Sequence, residues 1–268
     1  MAYYFPPQQK PQRWGNFQSV QYAIRKNSEK IYGVNPDSNV LVMPLFWGFP
    51  CLDFSGKQNH GTPYGGVAYH SGSLDFDGVD DYVGMNDVYY DSGTHSQITV
   101  SLWIYADNYV ANDVPISRSF YPFAIQFTSA SGGNVNYKTS VRTDVTGDIQ
   151  PTTTGYPLTT GSWNLITLVY DGTQGINYLN GQNKISVQGT GNLLASPTYN
   201  IIIGNYQSGS SYWFDGLIDE VRISNIAPTA EQIALFYARK WDLYRRVGRT
   251  YYSVAAAPSI YIPQIMIF

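Results

Sequence analysis

Phe214-Asp215-Gly216-Leu217-Ile218-Asp219-Glu220-Val221-Arg222-Ile223 and, earlier, Ser73-Leu74-Asp75-Phe76-Asp77-Gly78-Val79-Asp80-Asp81-Tyr82-Val83 each alternate apolar and polar residues around a glycine. Side chains on a strand point to opposite faces with a period of two, so this is the pattern of half-buried antiparallel strands. Working outward, Ile98-Thr99-Val100-Ser101-Leu102-Trp103-Ile104 alternates in the same way, with Ile98, Val100, Leu102 and Ile104 on one face. Pro122 to Thr128, Val135 to Thr143 and Trp163 to Tyr170 read likewise. Asn180-Gly181 lies between Ile176-Asn177-Tyr178-Leu179 and Lys184-Ile185-Ser186-Val187. A type I′ turn needs positive φ at both central residues, and Asn-Gly supplies them, so a tight hairpin is predicted there. Short, regularly spaced strands without βαβ spacing make a sandwich or jelly roll.

Residues 1–38 are rich in Pro, Gln and Asn and lack sustained periodicity. They read as an arm carrying at most a short helix near Ser19 to Lys30. Residues 39–228 hold the strands, and residues 229–268 a helix and an extended tail. Thr229-Ala230-Glu231-Gln232 forms a capping box. Ile233, Phe236, Tyr237, Trp241 and Tyr244 follow at helical spacing as an apolar stripe.

At 268 residues the chain is long enough for one large all-β domain with extensions. Charged residues make up 13%, about half of the ~25% usual in soluble domains. The chain has 24 tyrosines, and a surface poor in lysine and rich in tyrosine suits interfaces. A net charge of −3 gives no footprint for nucleic acid as the main partner. Cys51 is the single cysteine, so no internal disulfide forms. Met1 to Lys10 lacks a basic segment followed by an apolar one, so no signal peptide is expected there. The most apolar run, Leu41 to Leu52, is too short to span a bilayer and is broken by Pro44 and Pro50; no membrane partner is expected.

The two opening stretches resemble the paired edge segments of the laminin G-like, concanavalin A-like jelly roll. Leu52-Asp53-Phe54-Ser55-Gly56-Lys57-Gln58-Asn59-His60-Gly61-Thr62 resembles that family's early Asp-x-Ser-Gly, Asn-His-Gly-Thr stretch, and Ile98 to Tyr105 its tryptophan-bearing strand. Trp163 to Gly172 with Tyr178-Leu179-Asn180-Gly181 resembles its long strand and hairpin, and Ile202-Ile203-Gly204 precedes the Phe214 segment at the family's distance. The resemblance runs from about residue 41 to 237. It implies a two-sheet antiparallel sandwich with an N-terminal arm and a C-terminal helix and tail. Farther on, Trp241-Asp242-Leu243-Tyr244-Arg245-Arg246 and then Tyr251 to Pro258 are similar to the tails of jelly-roll structural proteins of tailed bacteriophages.

Chemistry follows from which residues the strands can bring together. Glucanases of this fold carry glutamates at Glu-x-Asp-x-Glu spacing, but Glu29, Glu220 and Glu231 do not share a strand. Asp75 and Asp77 are two apart, and the plainer reading makes them turn residues flanking Asp77-Gly78. His60, His70 and His95 lie in turn-rich surroundings, and Cys51 reads as a small core residue. The family resemblance implies a structural Ca2+ on Asp219, with Asp77 contributing from the paired strand; otherwise Asp219 accepts hydrogen bonds from neighbouring turns. Carbohydrate would stack on exposed aromatics beside polar acceptors, and Tyr212, Trp213 and Tyr109 are the candidates, whereas Trp103 reads as packing.

Arg239, Lys240, Arg245, Arg246 and Arg249 read as a solvated helix end, as a docking patch for an acidic protein surface or, third, as a contact to nucleic acid inside a capsid. Ile260, Ile262, Ile265, Met266, Ile267 and Phe268 would be an aggregation hazard if exposed. The arm and tail are therefore expected to pack on other copies of the chain in a trimer or lattice, with contacts at Trp241, Tyr244, Arg245, Arg246, Ile265 and Phe268. The alternative is that both fold back on their own jelly roll. The expected function is a non-enzymatic virion structural protein of a tailed phage, in the capsid or tail, assembled in the host cytoplasm with other virion proteins. A host-surface glycan is a further expected partner, and the competing readings are a free carbohydrate-binding module and, after it, a glycoside hydrolase.

Overall fold

The computed structural model describes residues 17–45, 51–70, 72–85, 95–118, 122–128, 135–194, 200–206 and 212–245. Two antiparallel sheets face each other as the alternation requires. One runs in the order β13 (Gln182–Gln188), β12 (Gln174–Leu179), β11 (Asn164–Tyr170), β6 (Ile98–Tyr105), β15 (Asp215–Ser224), β4 (Ser73–Asp77), β3 (Ala68–His70). The other runs β10 (Gly147–Ile149), β9 (Asn136–Thr143), β8 (Phe123–Thr128), β7 (Ile116–Ser117), β14 (Ile201–Ile203), β5 (Tyr82–Met85), β2 (Thr62–Tyr64). The core between them is filled by inward residues of both sheets, among them Phe76, Val100, Leu102, Ile104, Ile125, Phe127, Tyr137, Ile166, Leu168, Ile203 and Ile218. Strand β9 buries every second residue, so its other face meets water. Strand β11 is buried at all positions because its outer face is also covered.

The opening stretches meet as strand partners: Asp215 faces Asp77 and Leu217 faces Asp75. Beyond a bulge between Asp219 and Arg222, β15 stays paired with β6 as far as Ser224, but on its other edge it exchanges β4 for β1 (Asn39–Met43). The bulge needs a left-handed residue, and Glu220 takes it at φ 57°. A non-glycine residue there costs about 1–3 kcal/mol. Glu220 is held in place because its N–H bonds Asp219 Oδ1 at 2.9 Å and its Oε2 accepts from Arg222 Nε at 3.1 Å. The predicted hairpin joins β12 to β13 with Asn180 at φ 52° and Gly181 at φ 78°.

The early Asp-x-Ser-Gly stretch is a hydrogen-bond hub. The buried Asp53 carboxylate accepts from the N–H groups of Val42 at 3.0 Å, Ser55 at 2.8 Å and Asn59 at 3.0 Å. Asn59 Nδ2 then donates to Val40 O at 2.8 Å, tying the loop to β1. Asn164, fully buried, donates through Nδ2 to Tyr109 Oη at 3.0 Å and to Thr159 O at 2.8 Å.

Two departures from the sequence reading concern the ends. The N-terminal segment holds a full 16-residue helix, α1 (Phe17–Tyr32), that buries Val20, Ala23, Ile24, Asn27 and Tyr32. It packs on Val42, Phe54, Trp241, Leu243 and Tyr244. Helix α2 (Ala230–Ala238) starts at the expected capping box, with Thr229 N–H bonding Gln232 Oε1 at 2.8 Å. It ends earlier than the stripe suggested, and Lys240–Tyr244 continue as a 3-10 helix. Asn27 Nδ2 donates to Leu243 O at 3.0 Å and to Arg245 O at 2.8 Å, so the helix near the N-terminus and the segment after α2 close on each other.

Candidate functional site

The outer face of β8, β9 and β10 forms a groove. Register places Gln126 opposite Lys138, Ala124 opposite Ser140 and Arg142 opposite Asp148, all pointing away from the core. Their neighbours Ile125, Phe127, Tyr137, Thr139 and Val141 point inward and fix the strands. The groove encloses about 330 Å3 and is completed by Pro122, Gln150, Tyr206 and Tyr212. That volume is at the small end of the ~300–1,000 Å3 typical of ligand pockets. Tyr206 and Tyr212 meet edge to face with ring centroids 5.9 Å apart, forming an aromatic wall. The Tyr212 carbonyl accepts from Val114 N–H at 3.2 Å, which anchors the wall to the strand layer. On the floor, Arg142 Nε lies 3.4 Å from Asp148 Oδ1. Amides, a hydroxyl and charges beside an aromatic wall are what a polyhydroxylated ligand needs: hydrogen-bond partners for its hydroxyls and a π face for its C–H surface.

Of the aromatics singled out from sequence, Tyr212 lies in this groove. Trp213 does not line it; it leans on Tyr82 at 6.1 Å, and Tyr82 stacks on Tyr64 at 4.7 Å. Tyr109 corrects the sequence reading. It is buried, packed edge to face on Phe127 at 5.2 Å and bonded to Asn164, so it offers no surface to a ligand. Lys138, Ser140, Arg142, Asp148 and Gln126 were missed, although the alternation of Val135 to Thr143 already put Lys138, Ser140 and Arg142 on one face.

A second cavity, of about 320 Å3, opens on the outer face of the other sheet and is lined by His70, Asp75, Tyr105, Asp107, Asn108, Asp215 and Leu217. Burial raises the Asp75 and Asp215 carboxyls above their ordinary pKa, and neighbouring aspartates add to both shifts. Asp113 is pushed up to about 7 by burial, with repulsion from Asp215 adding to it. Asp77 serves the turn, accepting from Val79 N–H at 2.9 Å.

The structure does not bring Asp219 and Asp77 together. Asp77 pairs with Asp215, while Asp219 faces Trp103 on β6. The charge beside Asp219 is Lys240, whose Nζ lies 2.8 Å from Asp219 Oδ2 with both side chains buried. The ammonium also sits over Trp241 at 4.3 Å, Trp103 at 4.8 Å and Trp163 at 5.4 Å. A lysine read as part of a solvated helix end is thus a buried cation in an aromatic cage, and it supplies the charge that an ion on Asp219 would have brought. Among the described residues the group with cation-ligating spacing is Asp77, Asp80 and Asp81, whose ligand atoms lie within 4.8 Å of one another. Asp81 is buried, and its Oδ1 has no hydrogen-bond partner among the described residues.

Trp241 and Tyr244, expected at a subunit contact, are buried inside the chain against α1. Arg245 is exposed and pairs with Asp242 Oδ1 at 2.7 Å. Arg246, Ile265 and Phe268 lie outside the described residues. The buried Glu220 is bound to Arg222, Glu29 is exposed on α1, and Glu231 occupies the first turn of α2. No helix among the described residues is long and apolar enough to cross a membrane.

A laminin G-like family profile, described as the concanavalin A-like lectin/glucanases superfamily, matches residues 77–234. That is more than half of the chain, and the chain belongs to this superfamily. Among solved structures, it is similar to domain 4 of AbnA, a GH43 extracellular arabinanase from Geobacillus stearothermophilus, in complex with arabinotriose. The TM-score is 0.57 at 19% identity, covering 78% of this chain and 98% of that one. It is also similar to the binding domain of Paraclostridial Mosquitocidal Protein 1, with TM-score 0.61, 14% identity, and 76% and 53% of the two chains covered. The botulinum neurotoxin serotype D binding domain gives TM-score 0.56 at 15% identity, covering 76% and 51%. This chain spans about half the length of those toxin domains. At these identities the likeness shows the fold. No curated protein matches the sequence.

Proposed function

We propose that this chain is a non-enzymatic carbohydrate-binding module that holds a glycan in the β8–β10 groove. The observation that carries the reading is the groove itself: a polar floor of Gln126, Lys138, Ser140, Arg142 and Asp148 beside the Tyr206–Tyr212 wall. It is supported by the similar structures, one an arabinanase domain with arabinotriose and the others binding domains of toxins. The glutamates named above occupy an ion pair, a helix surface and a helix cap, with no facing pair among them. A structural cation fits this reading at Asp77, Asp80 and Asp81, whose hard oxygen donors suit Ca2+. A glycan-array screen tests the reading. Binding that falls several-fold or more in Tyr212→Ala supports it, and an array without any bound glycan overturns it.

A place on a tailed-phage virion is a second reading, and its support is sequence alone. The segment that suggested it begins at Trp241, and Trp241 to Tyr244 are already engaged in packing against α1. Mass spectrometry of purified virions tests it: the chain is expected in the particle, and its absence excludes this location.

A further inference from the structure

The charges in the groove are not balanced. Arg142 is compensated by Asp148 at 3.4 Å, but Lys138, half-buried on the same face of β9, pairs with no carboxylate among the described residues. The remaining polar liners, Gln126, Ser140 and Gln150, are neutral. Among the described residues the groove therefore presents one uncompensated ammonium, on a chain whose net charge is −3 and whose cavity on the other sheet holds three aspartates. A half-buried lysine without a counter-ion favours a ligand that brings one, since a carboxylate adds Coulomb attraction to the hydrogen bond that a neutral hydroxyl would accept. Ser140 follows Lys138 on the same face of β9, and Gln126 lies directly opposite Lys138. A lysine with a hydroxyl and an amide residue as its neighbours on one face offers donors enough for both oxygens of a planar carboxylate.

Resting on the carbohydrate-binding reading above, the geometry points to an acidic glycan as ligand: a sugar carboxylate sits on Lys138 while a neighbouring sugar ring packs on Tyr212. The carboxylate can come from a hexuronic acid or from a sialic acid, and the two share the chemistry that Lys138 reads. Neutral glycans meet the same ammonium with hydroxyls alone, without the ion pair.

Calorimetric titration of the whole chain separates the possibilities. The probes are trigalacturonate, its methyl ester, sialyllactose, a sulfated disaccharide and arabinotriose. At least one carboxylate-bearing probe is expected to bind about 10-fold or more tightly than arabinotriose, with trigalacturonate against sialyllactose identifying the source. If trigalacturonate is the ligand, its methyl ester binds about as weakly as the neutral probe. Lys138→Gln removes the preference for the acid, and Lys138→Arg retains most of it. Unchanged thermal melting of Lys138→Gln establishes that the loss is not unfolding. A strict preference for the sulfated probe, equal binding of acidic and neutral probes, or an unaffected Lys138→Gln overturns the proposal and leaves carbohydrate binding standing. Failure of every probe together with an empty glycan array overturns both.

Discussion

Replacing Lys240 by Met gives the sharpest energetic test of how the sheet, α2 and the C-terminal segment are joined. The substitution keeps an unbranched, flexible side chain one atom shorter among the indole rings of Trp103, Trp163 and Trp241 but removes the ammonium. Asp219, with a side chain 6% exposed, then keeps a buried carboxylate without its cation. Removing one partner of a buried ion pair destabilises by about 3–5 kcal/mol. Loss of the cation–π contacts adds up to ~2 kcal/mol, which sulfur–aromatic packing by Met partly offsets. Against a typical domain stability of ~5–15 kcal/mol this is a large fraction. Asp219→Asn is expected to be milder, because a lysine without its anion can lose its proton. The Asn oxygen also keeps the bond from Glu220 N–H. The double variant Lys240→Met/Asp219→Asn leaves no buried charge at the pair and is expected to recover about 2 kcal/mol or more relative to the sum of the singles. Urea unfolding of the four proteins, with slopes compared to confirm equal exposure on unfolding, measures the coupling. Single variants within about 1 kcal/mol of wild type, or strict additivity in the double, would refute the caged ion pair.

Gly181→Ala is expected to cost about 1–3 kcal/mol in urea unfolding, because φ is 78° and a Cβ would lie 2.9 Å from Tyr237 Cβ and 3.1 Å from Ala234 Cα; a neutral substitution would contradict the packing of α2 on the hairpin. Asp113 has a folded-state pKa near 7, above its ordinary 3.8, so the native state holds a proton that the unfolded chain has lost. Its contribution is complete below about pH 4 and is lost as pH rises through 7; Asp113→Asn should flatten that fall in melting temperature. Saturating Ca2+ should raise the melting temperature of the wild type but not of Asp80→Asn, and EDTA should shift wild type and Asp219→Asn equally. An EDTA effect removed by Asp219→Asn would restore Asp219 as the ligand.

The fold was legible because its signals are local. Alternation in Ile98 to Ile104, the Asn180-Gly181 turn and the Thr229–Gln232 box each depend on a few adjacent residues, and each appears in the structure. The site was legible only in part because its residues meet through tertiary structure. Lys138, Ser140 and Arg142 read as the wet face of a strand, and only β8, β10 and the Tyr206–Tyr212 wall make that face a groove. Lys240 reads as a helix-end charge until β6 and β11 bring Trp103 and Trp163 to it. Tyr109 fails in the opposite sense. Its sequence surroundings are loop-like, but the distant Asn164 gives its hydroxyl a buried partner, so the ring enters the core. Asp219 and Asp77 lie on strands that do belong to one sheet, and the register that separates them is set by the pairing of Leu74 to Asp77 with β15.

The most direct test of glycan binding in the β8–β10 groove is an amide chemical-shift titration of the labelled chain with the tightest oligosaccharide from the array. The expected result is that perturbations concentrate at Ala124 to Gln126, Lys138 to Arg142, Asp148 to Gln150, Tyr206 and Tyr212, and are much reduced in Tyr212→Ala. Perturbations concentrated instead around His70, Asp75, Asp107 and Asp215, or on the Trp213–Tyr82–Tyr64 ladder, would contradict it.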